Sequence, residues 1–174
     1  DDRIVDMARD GIDISLRSGS TPRDTQVVRK IGEHGRYLCA APAYLAAHGT
    51  PQHPNDLAAH RLIIHSSSPA LNRWPLAAGG EMVVRGHTRV DNSTVMLAMV
   101  LANVGIARLN SLYAAPLVRQ GRLVPLLLEH FQDPPIPISV VLLPERQRLP
   151  KIRACIDHWA QCLAEIQGQG LIIR

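Results

Sequence analysis

The chain's 174 residues suit one domain, or one large domain built from two small lobes, and its balance of 46% hydrophobic and 20% charged residues excludes intrinsic disorder. The 12 Gly and 13 Pro are scattered without a period, which excludes collagen-like and low-complexity classes, and the longest apolar stretch, Val95 to Ala102, is far short of the roughly 20 residues of a membrane span. The net charge is +4, but the arginines that make up most of the basic residues are spread singly, not clustered in the stripe of a nucleic-acid surface.

Asp1-Asp2 reads as the N-cap of a helix carrying Ile4, Val5, Met7 and Ala8, with Gly11 placed to end it. Ile12 to Arg17 alternates apolar and polar residues, the pattern of a half-buried strand, and Ser18 to Pro22 is a loop. Val27 to Ile31 and Tyr37 to Ala41 are two further strands with a turn at Glu33 to Gly35. Pro42 closes the second strand, and Ala43 to His48 is a short helix stopped by Gly49. Pro54 to Leu57 opens another helical turn, and Arg61 to His65 is a strand.

After Ser66-Ser67-Ser68-Pro69, a turn at Gly79-Gly80 leads to strands at Met82–Arg85 and Thr88–Val90. Asn92-Ser93-Thr94 cap an apolar helix expected to run to Gly105. Ile106 to Leu109 is a strand, Ser111 to Arg119 a helix stopped by Gly121, and Leu123 to Leu127 a strand. Pro134, Pro135 and Pro137 stiffen the approach to the strand Ile138 to Leu143. Pro150 opens the last helix, where Ile152, Cys155, Ile156, Trp159, Leu163 and Ile166 form an apolar stripe. Strands alternating with helices predict an α/β fold with largely parallel pairing.

Several stretches carry a family resemblance when taken in order. They are Asp2-Arg3-Ile4-Val5-Asp6 with Gly11 to Gly19, Tyr37 to Leu45 with His48-Gly49-Thr50-Pro51, and Pro54-Asn55-Asp56-Leu57 with the later Trp74. Val104 to Leu109, Gly121-Arg122-Leu123-Val124 and Leu149 to Ala154 complete the set. Together they resemble the effector-binding domain of LysR-type transcriptional regulators over roughly residues 1 to 166. That family's domain starts with a strand, a helix and a second strand, and a DNA-binding winged helix-turn-helix precedes them. None of these has a counterpart here, so the chain resembles a regulatory domain truncated at its N-terminus. Gly168 to Arg174 has no family counterpart either.

The resemblance implies two Rossmann-like lobes of the type 2 periplasmic-binding-protein architecture, joined by two crossing segments, with a small effector bound in the cleft between them. Lobe I is expected at 1–42 and 144–174 and lobe II at 43–143, with crossings near Ala41-Pro42 and Leu142-Pro144. Both crossings read as apolar strands ending at Pro. The implied role is a non-enzymatic, cytoplasmic sensor in a homodimer or homotetramer that reaches DNA only through the missing winged helix. Other readings are a solute-binding protein of a transport system and a small α/β enzyme.

Ligands of α/β lobes sit at strand carboxyl ends and helix amino ends. Arg17 and Ser18 follow the first strand; Arg17 supplies a fork for a carboxylate or pairs with an internal Asp. Asn92, Ser93 and Thr94 follow a strand and open a helix, where free N–H groups and hydroxyls converge on a ligand or serve as plain caps. Ser66 and Asn110 are further effector contacts. No cofactor, metal site or catalytic group is expected: no nucleophile elbow, phosphate loop or metal-ligand spacing occurs, although His158 and Cys162 are four apart. Cys39 reads as a core thiol, the three cysteines fit a reducing compartment, and the histidines read as solvated loop residues. The helix from Thr94 to Val104 is apolar around nearly its whole circumference, so it faces a partner chain or is fully internal.

Overall fold

The computed structural model of the protein describes residues 7, 9–19, 26–66 and 69–168. Most of the predicted N-terminal helix, Ser20, Ser67-Ser68 and the tail beyond Gly168 lie outside them. The elements are β1 (Ile14–Ser18), β2 (Val27–His34), β3 (Arg36–Ala40), α1 (Pro42–His48), β4 (Leu62–His65), β5 (Arg73–Pro75) and β6 (Glu81–Val83). They continue with β7 (Thr88–Val90), α2 (Ser93–Leu101), β8 (Ile106–Asn110), α3 (Ser111–Arg119), β9 (Val124–Leu126), β10 (Ile136–Leu142) and α4 (Pro150–Gly168). Short 3-10 segments occur at Pro54–Ala59, Pro69–Asn72 and Pro144–Arg146.

The chain divides into two compact units. The larger is Gly35–Pro134; the smaller takes the described residues up to His34 and those from Pro135 onward. The sequence places the divisions at 42/43 and 143/144, about one strand further along. Backbone pairing explains the difference: β3 is hydrogen-bonded to β8 and β9 of the larger unit, and β10 to β1 and β2 of the smaller.

In the larger unit five strands lie in the order β7-β4-β8-β3-β9. β4 runs parallel to β7 and β8, whereas β3 is antiparallel to both its neighbours. The smaller unit's sheet, β1-β10-β2, is wholly antiparallel. Largely parallel pairing was expected; parallel neighbours require a crossover connection, and among the described strands only β4, β7 and β8 are joined that way. Two glycines bring these strands together. A Cβ on Gly86 would stand 2.6 Å from the Leu62 carbonyl oxygen, and one on Gly105 2.2 Å from that of Arg61. Bare backbone at both positions lets the chain close in on β4 from either side.

One face of this sheet buries Leu38, Ala40, Leu62, Ile64, Ile106 and Leu126 against Tyr44, Leu45, Leu57, Trp74 and Val84. Trp74 belongs to the β5-β6 hairpin and meets Phe131 edge-on, with ring centroids 5.7 Å apart. Helices α2 and α3 pack against β8 and β3. Cys39 is fully buried, and burial pushes its thiol up to about 12, the inert core cysteine the sequence suggested. α2 ends earlier than expected, because Asn103 takes a left-handed φ of 63° and Val104 donates its N–H back to the Met99 carbonyl. The helix is not internal throughout: Met96 and Val100 are buried, and Val95 is 49% exposed.

In the smaller unit α4 lays Ile152 and Ile156 on Val140 and Leu142, with Ile14, Val27, Ile31, Leu149 and Trp159 around them. Cys155, placed in this stripe from sequence, lies on its flank and is exposed. Among the described residues no helix is long and apolar enough to cross a membrane.

Candidate functional site

The parallel ladder fixes where strand ends fall. Ile63, Ile64 and His65 pair with Thr88, Arg89 and Val90, and Leu62 and Ile63 with Ile106 and Ala107. The carboxyl ends of β7, β4 and β8 therefore lie side by side on one edge of the larger unit's sheet. Ser66 extends the pairing by donating its N–H to the Val90 carbonyl at 2.7 Å. Ser66, the Asn92-Ser93-Thr94 turn and Asn110 all come to this edge, where open α/β sheets hold ligands.

Each side chain there has a local cause. Asn92 is the N-cap of α2, and its Oδ1 accepts the N–H groups of Thr94 (2.9 Å) and Val95 (3.1 Å). Asn110 caps α3 in the same way, accepting from Leu112 at 2.9 Å. The N–H groups expected to converge on a ligand at α2 are thus engaged by the Asn92 carbonyl oxygen, and the asparagines set the angle at which each helix starts. Ser93 Oγ lies 3.5 Å from His65 Nε2, and the Thr94 side chain is exposed.

Sequence reading missed what holds His65. Buried Asn72 brackets its backbone, accepting the His65 N–H at Oδ1 (3.0 Å) and donating from Nδ2 to the His65 carbonyl (2.8 Å). This two-point clamp fixes the last residue of β4, hence the imidazole beside Ser93. An Asn between Leu71 and Arg73 gives no local signal of such a role.

Near the same edge, Arg36 pairs with Asn110 across the β3-β8 ladder. Burial lowers its guanidinium below the usual range; nearby Arg108 adds to this and Asp133 opposes it. Arg108 and Asp133 form a buried ion pair, and the Arg108 guanidinium carbon stands 6.0 Å from the centre of the Trp74 ring.

Arg17 and Ser18 belong to the smaller unit. Arg17 donates from Nε to Ser15 Oγ at 3.4 Å, at the outer limit of a hydrogen bond, and Ser18 Oγ lies 2.5 Å from His34 Nε2. Gly19, with φ 65°, turns the chain after β1 and donates to the Pro137 carbonyl. The histidines are not uniformly solvated: His34 is 3% and His60 6% exposed, and hydroxyls of Ser18 and Tyr44 partner their buried rings. His60 sits below the ordinary imidazole range through burial first and its neighbour His48 second, against Asp56. Cys162 Sγ lies 3.7 Å from His158 Nε2, and among the described residues no group of three His, Cys, Asp or Glu side chains is placed to hold a metal.

Capped helix starts and hydroxyls gather along the parallel-strand edge where open α/β sheets hold ligands, and comparison with known proteins gives the chain a family. The model of the LysR substrate binding domain matches residues 1–163. The chain belongs to that family. It is 31% identical to the uncharacterized HTH-type transcriptional regulator YhjC of Escherichia coli K12, over 91% of this chain and 54% of that protein. Among solved structures it is similar to the regulatory domain of CrgA, a LysR-type transcriptional regulator from Neisseria meningitidis. That match has a TM-score of 0.84 at 26% identity and covers 90% of this chain and 78% of that one. The effector domain of Pseudomonas aeruginosa AmpR shares the fold, with a TM-score of 0.72 at 19% identity over 96% of this chain and 79% of that one. The chain spans about half the length of the curated relatives it matches. Its fold is that of LysR regulatory domains, the type 2 periplasmic-binding-protein architecture.

Proposed function

We propose that this chain is the effector-sensing part of a cytoplasmic LysR-type transcriptional regulator and that its ligand is a small carboxylated metabolite. The observation that carries the reading is the meeting of Ser66, Ser93, Thr94 and Asn110 at the carboxyl edge of β4, β7 and β8 in a chain of this family. Ser66, Ser93 and Thr94 supply hydroxyls; Asn92 holds the start of α2 that carries Ser93 and Thr94, and Asn110 stands at the end of β8 as the cap of α3. Arg17 and Ser18 stay in the reading as the contacts expected from sequence, Arg17 as a fork for a carboxylate. A ligand with different affinity for two conformations of the domain shifts their populations by that difference.

The matched relatives are named as transcriptional regulators, which favours a sensor over an enzyme or a transport protein. DNA contact is assigned to a helix-turn-helix outside these residues, and pairing of two chains to the exposed side of α2 around Val95. A thermal-shift screen of aliphatic and aromatic acids tests the ligand class. An acid present at about 100 times its Kd should stabilise the chain by about 2.7 kcal/mol. Stabilisation by neutral or cationic metabolites but by no acid contradicts the reading.

A further inference from the structure

The smaller unit carries a concavity that the proposed effector contacts do not use. It is a cavity of about 430 Å³ where β2 and β10 meet the start of α4. Its apolar floor is half-buried Val27 over Leu142 and Ile156, which belong to the packed core beneath α4. Around this lining stand three guanidiniums, Arg29, Arg148 and Arg153, against one carboxylate, Asp157.

The charges do not cancel. Arg29 reaches Asp157 at 3.7 Å, a loose pair between largely exposed side chains. Among the described residues Arg148 and Arg153 form no ion pair. The nearby acid that could take them, Asp13, is engaged by Arg146 (3.3 Å) and Lys151 (2.7 Å). Two positive charges are left in excess beside an apolar recess, within the volume range of small-molecule sites.

We propose that this recess binds a small amphipathic carboxylate, its headgroup between Arg148 and Arg153 and its hydrocarbon part on Val27 and the arginine stems, above the core of Leu142 and Ile156. A bare inorganic anion would gain nothing from the apolar lining, and a neutral hydrocarbon nothing from the arginines. A polyanion such as DNA requires a stripe of basic residues, and here they surround a single recess. Guanidinium recognition of carboxylate is bidentate and planar, and Arg153, one turn into α4, is well placed to provide it.

Titration of the 174-residue chain with octanoate by isothermal calorimetry, beside acetate and octan-1-ol, tests this. Octanoate should bind at least about tenfold more tightly than either control, as expected when both a charged hydrogen bond and apolar burial contribute. The exposed pair Arg148→Ala with Arg153→Ala should weaken octanoate about tenfold or more while the circular dichroism melt stays unchanged. Ser93→Ala, at the proposed effector edge, should leave octanoate affinity as it was. Absence of octanoate binding, equal binding by the double variant, or loss on Ser93→Ala alone would each overturn the proposal. So would displacement of octanoate by duplex DNA.

Discussion

The larger unit covers both faces of its five-stranded sheet, with α2 and α3 on one side and the Trp74 hairpin with α1 on the other. The smaller unit has three strands and α4, and two apolar side chains of its sheet stay open: Leu16 is 50% and Val28 41% exposed. The contrast separates two ways of building α/β structure. Where sheet faces are covered, polar groups can be buried because partners are fixed in place, as with Asn72 on His65 and Arg108 on Asp133. Where cover is thinner, charge stays at the surface and surrounds recesses, as Arg148 and Arg153 do. The smaller unit buries a polar group as well, His34 with its partner Ser18, but its arginines around the α4 recess stay exposed. Fixed polar positioning therefore weighs more in the larger unit and electrostatic attraction in the smaller.

The largest expected effect follows from this difference in burial. Trp74→Ala should cost about 3–5 kcal/mol in urea unfolding, because Trp74 is nearly inaccessible and in contact with Phe131. Ile152→Ala, under α4 of the smaller unit, should cost less, about 2–3 kcal/mol. A greater loss from Ile152→Ala would break the comparison.

A smaller effect depends on pH. His60 is held below the ordinary imidazole value by burial and by His48, so on acidification the unfolded chain takes up its proton first. The stabilisation from keeping His60 neutral is thus fully present above about pH 6.5 and is lost as pH falls through the lower folded value. His60→Gln should flatten stability against pH between about 7.5 and 5; an unchanged slope would assign the pH dependence elsewhere. The smallest effect on stability should come from Val95→Glu, within about 0.5 kcal/mol since the side chain is half exposed. The same variant should sediment as a monomer under conditions where the parent pairs. A paired Val95→Glu chain would remove α2 from the interface.

Local rules make part of this legible. α3 reads from sequence with the limits it has in the fold, because Asn110 caps its start and Gly121, with φ 68°, follows its end. β7, only three residues long, is legible from the turn residues on either side of it. The β5 strand is not, since Arg73-Trp74-Pro75 is too short to show a period and forms only by pairing with β6. At the candidate site the strand-end residues are legible, but their supports are not. Asn72, Arg36 and the Arg108–Asp133 pair act through contacts that only the folded sheet creates, and buried His34 and His60 find hydroxyl partners sixteen residues away.

The central proposal is that Ser66 and Ser93, at the carboxyl edge of β4 and β7, contact an acidic effector. The most direct measurement is calorimetric titration of an acid identified by thermal shift into the Arg148→Ala, Arg153→Ala chain, which leaves out the recess under α4, with and without Ser66→Ala and Ser93→Ala. Affinity should fall at least about tenfold when both hydroxyls are removed, the loss expected for two hydrogen bonds to a charged group, with the unfolding midpoint unchanged. Equal affinity with and without the two serines would contradict the proposal.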